Sequence, residues 1–225
     1  SLPGSLLIER DIVNESGLRG ILSFEATERS GDQIAKLGIQ ENLTLHEAAK
    51  DDELISAMMC LHTTFTCSKD YITQAAKLAK EYGLGLHVHC NEGMHEGIWC
   101  EENHSKRPLE LYEDLEVTNP SFLASQCVHL SDKEMEIIAR NEVKVTHMPL
   151  ANCEVGGGIA PIPELLEAGA TIGLGSDGYI NDFYEVMRGA FLIHKARLRD
   201  PGVMPAESVL HMATTGGAKA LGLTS

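Results

Sequence analysis

The chain has 225 residues, of which 43% are hydrophobic and 23% charged, and its formal net charge is −15. This composition fits a folded domain with a sizeable core, while the negative charge would repel phosphate backbones and argues against a nucleic-acid partner. No run of 18 apolar residues and no signal peptide is visible, so we expect a cytoplasmic protein without membrane contact.

Strand-like and helix-like segments alternate along the chain. Strands are predicted at 19–26, 84–90, 121–130, 143–149 and 170–178, and the ambiguous segment 53–63 runs into a strand-like LHTTFT. Helices are predicted at 68–83, 131–142, 161–169, 181–198 and 205–222, whereas the acidic segment around 100–112 shows no period and is predicted to be a loop. Ser68 and Gly83 are suited to cap the first of these helices, and Ser131 with Glu134 forms a capping box at the second.

This alternation predicts a parallel sheet with helical crossovers. No GxGxxG follows the first strand, so a dinucleotide-binding loop is not indicated. Polar residues instead collect where strands end, as in the active sites of (β/α)8 barrels. They are His62, His89 with Glu92, Gln126 with His129, His147 and Asp177. Six strand–helix units can be counted, so the predicted fold is an incomplete (β/α)8 barrel forming one partial domain over 1–225.

The six cysteines form no CxxC pair, which argues against a zinc ribbon or a redox motif. Several lie in apolar runs, where free cysteine behaves as a small hydrophobic residue. Reduced thiols in a cytoplasm are therefore expected, and no base partner points to a thiol nucleophile.

The segment LHVHCNEG combines two histidines and a carboxylate at the end of a strand. His87 and His89 share one face, so they could chelate a metal ion or fill a layer of the core. Glu92 follows just past the strand, where it could take a proton from a water and deliver it to a leaving group. A solvated loop carboxylate is the alternative for Glu92.

Asp177 ends an apolar strand between glycines, so it is a candidate metal ligand or base. The alternative is a cap for the following helix, a role to which Asn181 is better suited. His147 and His62 also end strands, and each alone fits a structural or substrate-facing role better than a metal ligand.

Several stretches together resemble the amidohydrolase superfamily, in particular its aminohydrolase and chlorohydrolase branch, which includes guanine and S-adenosylhomocysteine deaminases. They are HCNEG, QCVHLSDKEMEIIARNEVKVTHMP and TIGLGSDG, and the stretch from MPLANCEVGGG to FLIHKA is most similar to SsnA-type aminohydrolases. The resemblance covers nearly the whole chain. It implies a (β/α)8 barrel, usually with a small β-sandwich, and one zinc or iron ion.

Carried over by motif, the resemblance assigns a role to each candidate. His89 matches the metal ligand of strand 5, and Asp177 matches the ligand of strand 8 that also accepts the proton of water. Glu92 matches the residue that shuttles protons and contacts substrate. His62 and His147 match substrate-contacting positions, and His87 would face a deeper layer of the barrel.

The chain departs from the family pattern in two places. The HxH of strand 1 is absent, so strands 1 and 2 and the β-sandwich are expected to be missing. Gln126 stands where the family has a histidine beside the metal, and a glutamine side chain can donate a hydrogen bond but cannot carry a proton.

The resemblance implies a metal-dependent hydrolase of C–N bonds. In the full-length protein, the expected activity is that of an aminohydrolase that acts on nitrogen heterocycles. Because of the two departures, inactivity of this chain by itself is an open expectation. The alternative is a non-catalytic barrel without a complete metal site that binds a ligand or partner. The expected partners are a small-molecule substrate and further copies of the chain, because an open barrel exposes strand edges.

Overall fold

The computed structural model describes residues 3–178 and 182–223. The chain divides into two compact units, Ser1–Val88 and His89–Ser225, and strand β5 (Leu86–Cys90) contributes residues to both. No helix in the described ranges combines the length and apolar character that crossing a bilayer requires. The prediction of one domain over 1–225 stays a prediction.

The first unit alternates helices with short parallel strands. Its elements are α1 (Ser5–Ser16), β1 (Gly20–Leu22), β2 (Glu25–Ala26), α2 (Asp32–Ala48), β3 (Ile55–Ala57), β4 (Met59–Leu61), α3 (Lys69–Tyr82) and the start of β5. Strand β1 pairs with β3, and β4 pairs with both β2 and β5, all in parallel. Leu6, Phe24 and Leu45 form a buried core cluster that joins helices α1 and α2 to this strand region.

The strand predicted at 19–26 is interrupted at Phe24, and Asn42 of α2 explains why. The buried Asn42 side chain accepts a hydrogen bond from the Phe24 amide at 2.7 Å and donates to the Phe24 carbonyl at 2.9 Å. Both backbone groups of Phe24 are thus satisfied by a side chain, so the residue needs no neighbouring strand. Sequence periodicity does not reveal this contact, because it joins residues 18 positions apart.

The second unit repeats the strand–helix pattern. Beyond the end of β5, its elements are α4 (Met94–His104), α5 (Pro108–Asp114), β6 (Phe122–Gln126), α6 (Asp132–Arg140), β7 (Lys144–His147), α7 (Pro149–Glu154), α8 (Ile162–Glu167), β8 (Ile172–Leu174), α9 (Phe183–Leu198), α10 (Ala206–His211) and α11 (Gly217–Ala220). Strand β7 pairs in parallel with β6 and with β8. Fully buried side chains such as Tyr112, Phe122 and Ile137 fill its core.

The two helices with the strongest capping signals are confirmed. The Ser68 hydroxyl accepts a hydrogen bond from the Tyr71 amide at the start of α3, and Gly83 ends that helix with a φ of 68°. Ser131 and Glu134 form the reciprocal capping box of α6. Local residue chemistry is sufficient to place these two helices.

The structure contains helices that the sequence does not predict. The prediction of a loop at 100–112 was wrong, because α4 and α5 occupy most of that segment. Helix α4 buries small residues such as Gly97 and Cys100 and exposes Met94 and Ile98, which weakens its apolar period. Helices α1, α2 and α7 were not predicted at all.

The helix predicted at 205–222 contains a π-helical turn over Met212–Gly216. A Cβ atom on Gly216 would lie 2.7 Å from the carbonyl oxygen of Ile172, so only glycine allows this turn to approach β8 so closely. At the start of α9, Asp182 is the N-cap and accepts from the Tyr184 amide. Asn181, the cap predicted from the sequence, lies outside the described residues.

Candidate active site

The predicted site residues of the second unit lie at the carboxyl ends of its strands. His89 is the fourth residue of β5, and Glu92 follows two residues after that strand ends. Gln126 and His147 are the last residues of β6 and β7, and Asp177 lies three residues past β8. This is the end of a parallel strand at which active sites of (β/α)8 proteins are built.

Glu92 interacts electrostatically with both predicted metal ligands. Its carboxyl group is half-buried, and this burial is the main cause that raises its pKa above the usual range. The negative charge of Asp177 raises the pKa further, while the positive form of His89 lowers it. Glu92 is therefore within electrostatic range of both His89 and Asp177, although 85 residues separate Glu92 from Asp177 in the sequence.

Several residues at the same strand ends have left-handed backbone conformations. Asn91, Gln126, Cys127 and Asp177 are not glycines, yet they have φ angles of 52°, 68°, 50° and 59°. Such left-handed conformations cost free energy and are enriched at functional sites. The exposed Asp177 is held in part by its own loop, because its Oδ1 accepts a hydrogen bond from the Gly178 amide at 2.5 Å.

Gln126 presents a buried acceptor with no partner among the described residues. Its Nε2 donates to the sulfur of Met148 at 3.4 Å, but its Oε1 is buried and makes no hydrogen bond. An unpaired buried amide oxygen costs free energy, so it favours a bound donor such as a substrate N–H or a water molecule.

His147 is fully buried, and it pairs with His194 of α9. The two Nε2 atoms are 3.1 Å apart, and the Nδ1 atom of each ring is buried without a hydrogen-bond partner in the described residues. Burial lowers the pKa of His147 well below its usual range and the pKa of His194 to about 4. Both rings are thus neutral near pH 7, and the substrate contact expected of His147 stays a prediction.

In the first unit, His62 directly follows β4 and is held by a hydroxyl group. Its Nδ1 lies 2.7 Å from the Thr66 hydroxyl oxygen. A ring nitrogen of His62 and a carboxylate oxygen of Glu25 lie within 4.8 Å of each other. Glu25 is not among the residues that the sequence singles out. It lies near His62 because the parallel register of β2 and β4 pairs it with Cys60, two residues before His62.

The cysteines are all free, as predicted, and five of the six are buried. Burial raises the pKa of the Cys60 thiol to about 12, and its sulfur lies 3.7 Å from Nδ1 of His87. The neighbouring Cys127 thiol and burial hold the pKa of Cys90 well above its usual range. Thiols that stay protonated near pH 7 are poor nucleophiles, which agrees with the sequence analysis.

The donor chemistry of the second unit fits a divalent ion of the zinc class. His89 offers an imidazole nitrogen, Asp177 and Glu92 offer carboxylate oxygens, and Glu92 interacts electrostatically with both other residues. Zinc and iron bind this combination of nitrogen and oxygen donors.

Residues 8–225 match the Amidohydrolase family. The 5'-deoxyadenosine deaminase of Methanosarcina acetivorans is 36% identical over 216 residues, which are 93% of this chain and 50% of that protein. The 5-methylthioadenosine/S-adenosylhomocysteine deaminase of Pelotomaculum thermopropionicum is also 36% identical, over 94% of this chain and 50% of that protein. The chain therefore spans about half the length of these relatives.

The fold is also similar to that of an adenosine deaminase from Xanthomonas campestris, whose crystal structure contains bound zinc. The TM-score is 0.90 and the sequence identity 25%, over 95% of this chain and 50% of that one. Together with the parallel strands and crossover helices, this likeness confirms the predicted α/β fold of a partial barrel. The chain belongs to the amidohydrolase family.

Proposed function

We propose that the protein to which this chain belongs is a metal-dependent aminohydrolase that removes an amino group from a nitrogen heterocycle. The observation that carries the proposal is the half-buried Glu92, whose raised pKa reflects both burial and the nearby Asp177. The names of the relatives, 5'-deoxyadenosine and S-adenosylhomocysteine deaminases, favour adenine nucleosides as the first substrates to test.

His89 and Asp177 would hold the ion, which is zinc or iron in this proposal. When bound, such an ion lowers the pKa of a water molecule and so makes it a nucleophile near pH 7.

The proton transfers are assigned to the two carboxyl groups. Asp177 is exposed and can accept the proton of the attacking water. Glu92 has a raised pKa, so its protonated form persists to a higher pH than that of an ordinary carboxyl group, and it can donate a proton to the departing amine. The unpaired Oε1 of Gln126 would accept a hydrogen bond from a substrate N–H, and His62 and His147 remain candidates for substrate contact.

The experiment is an ammonia-release assay of the zinc-loaded protein with 5'-deoxyadenosine, S-adenosylhomocysteine, adenosine and guanine. Glu92→Gln should lower kcat/KM at least 100-fold, because general acid–base groups contribute factors of about 10² to 10⁴. Glu142→Gln, which changes an exposed glutamate, is the matched control and should have the same kcat/KM as the protein without a substitution, which is called the parent in these tests. Equal turnover by Glu92→Gln and the parent would contradict the assigned role.

A second candidate function is a non-catalytic barrel that binds a heterocyclic ligand or a partner. It is favoured by Gln126, which cannot carry a proton at a position where the family pattern has histidine. This alternative predicts heat of binding in calorimetry with the same nucleosides and no ammonia from any of them.

A homo-oligomer and a cytoplasmic location stay predictions. Support for self-association comes from apolar side chains in the first unit that are more than 60% exposed, namely Ile8, Ile12 and Leu18. Apolar groups exposed together favour association, because contact removes them from water.

A further inference from the structure

We propose that Asn91, Glu134 and Arg107 form a positioning network that fixes His89 and Glu92, which lie on either side of Asn91 in the chain, relative to the carboxyl end of β6. The inference rests on the proposed function, since it assigns the network to the same site. None of the three residues is placed in contact with substrate, and their effect would pass through the backbone of the two strand ends.

Asn91 is the centre of this network because of its place in the chain. It lies one residue before Glu92 and two after His89, and it is fully buried. Its φ angle of 52° lies in the left-handed region, which asparagine adopts more readily than most residues other than glycine.

The side chain of Asn91 is held by two charged residues. Its Nδ2 donates to Oε1 of Glu134 at 2.8 Å, and its Oδ1 accepts from Nη2 of Arg107 at 3.3 Å. Arg107 Nε in turn donates to Oε2 of Glu134 at 2.6 Å, and the Glu134 side chain has no exposed surface. The three side chains therefore form a closed, mutually bonded triangle, in which Asn91 and Glu134 are buried and Arg107 is partly exposed.

The backbone of Asn91 ties this triangle to both strand ends. Its amide donates to the buried Glu96 carboxylate at 2.5 Å, and its carbonyl accepts from the amides of Val128 and His129 at 3.0 and 2.9 Å. Arg107 Nη2 also donates to the His129 carbonyl at 2.5 Å. The segment after β5, which carries Glu92, and the segment after β6, which follows Gln126, are thus bonded to the same groups.

The opposite side of Glu92 is restricted as well. A Cβ atom on Gly157 would lie 3.4 Å from the Glu92 carbonyl oxygen and 3.3 Å from the Asn152 carbonyl oxygen. The glycine-rich turn after α7 therefore packs closely on the Glu92 backbone. With the network on one side and this turn on the other, small changes in the network should be transmitted to the site.

The test uses Asn91→Gly, which removes the side-chain bonds to Glu134 and Arg107 and a weaker one to the Cys90 sulfur, but accepts the left-handed backbone without strain. Glu142→Gly is the matched control, because Glu142 is exposed and has a similar φ of 53°. Each protein is titrated with cobalt(II), whose visible absorption reports the geometry of its ligands, and the retained fold is checked by circular dichroism. Residues that orient metal ligands typically change affinity by about 10- to 100-fold.

We expect Asn91→Gly to bind cobalt about 10- to 100-fold more weakly, with altered absorption bands, while Glu142→Gly matches the parent. A folded Asn91→Gly protein with the parent's cobalt affinity and spectrum would overturn the positioning role while leaving the proposed function intact. Failure of the unsubstituted chain itself to bind cobalt would overturn the positioning role and the presence of a metal site in this chain. If Asn91→Gly does not fold, Asn91→Ala and Asn91→Ser replace it. In whichever of them folds, weaker cobalt binding supports the positioning role, and unchanged affinity and spectrum overturn it.

Discussion

Replacing Arg107 with methionine should lower the free energy of unfolding by about 3 kcal/mol, since removing one partner of a buried ion pair leaves the other charge uncompensated. The Glu134 carboxylate is fully buried and lies 2.6 Å from Arg107 Nε. In the variant, the backbone amides of Ser131 and Leu109 still donate hydrogen bonds to the Glu134 carboxylate. The loss of unfolding free energy should therefore lie near the lower end of the range for buried ion pairs. Urea denaturation measures the change.

Arg140→Met is the matched control for this prediction. Arg140 also pairs with a glutamate, Glu113, but the two side chains are 50% and 31% exposed. Exposed pairs contribute about 0–1 kcal/mol, so this variant should unfold at nearly the same urea concentration as the parent. Equal destabilisation by the two substitutions would show that burial of Glu134 does not govern the effect.

The second large effect is a loss of stability in mild acid, caused by the buried pair of His147 and His194. Burial holds the pKa of His194 at about 4, below its usual value of 6.5 in an unfolded chain. Between pH 6.5 and about 4, His194 therefore binds a proton in the unfolded chain but remains neutral in the folded chain. Stability is fully present above pH 6.5 and falls as the pH is lowered.

For His194 alone, this difference amounts to about 2 kcal/mol between pH 7 and pH 5. The groups that face it are His147, Arg197 and Glu164; Arg197 lowers its pKa further, and Glu164 opposes this. His194→Gln should lose about 2 kcal/mol less than the parent over the same pH interval, because glutamine does not titrate. His211→Gln, at an exposed histidine, should keep the parent's pH dependence, and an unchanged slope in His194→Gln would contradict the assignment.

The Glu134 side chain has one role that the sequence predicts and one that it does not. Its position three residues after Ser131 predicts a capping box, and the structure confirms it. The same carboxylate binds Arg107 and Asn91, which are 27 and 43 residues away. Local chemistry predicts the first role, whereas the second depends on the packing of α4, α5 and α6 and has no periodic signal.

The site shows the same division. His89, Glu92 and Asp177 could be selected from the sequence because polar residues that end apolar strands are conspicuous, and strand alternation places those ends together. His194 could not be selected, because a histidine within an amphipathic helix gives no sign of whether it is buried. Glu25 was missed because its strand is only two residues long, and Asn42 interrupts the strand predicted around it.

The most direct test of the proposed metal site is the zinc content of the purified chain after zinc loading and desalting, measured by elemental analysis. About one zinc per chain is expected for the parent and for His95→Ala, which changes an exposed histidine of α4. His89→Ala should lose the zinc. An unsubstituted chain that retains no zinc would contradict the presence of a metal site in this chain. A His89→Ala variant that retains as much zinc as the unsubstituted chain would contradict the assignment of His89 as a ligand.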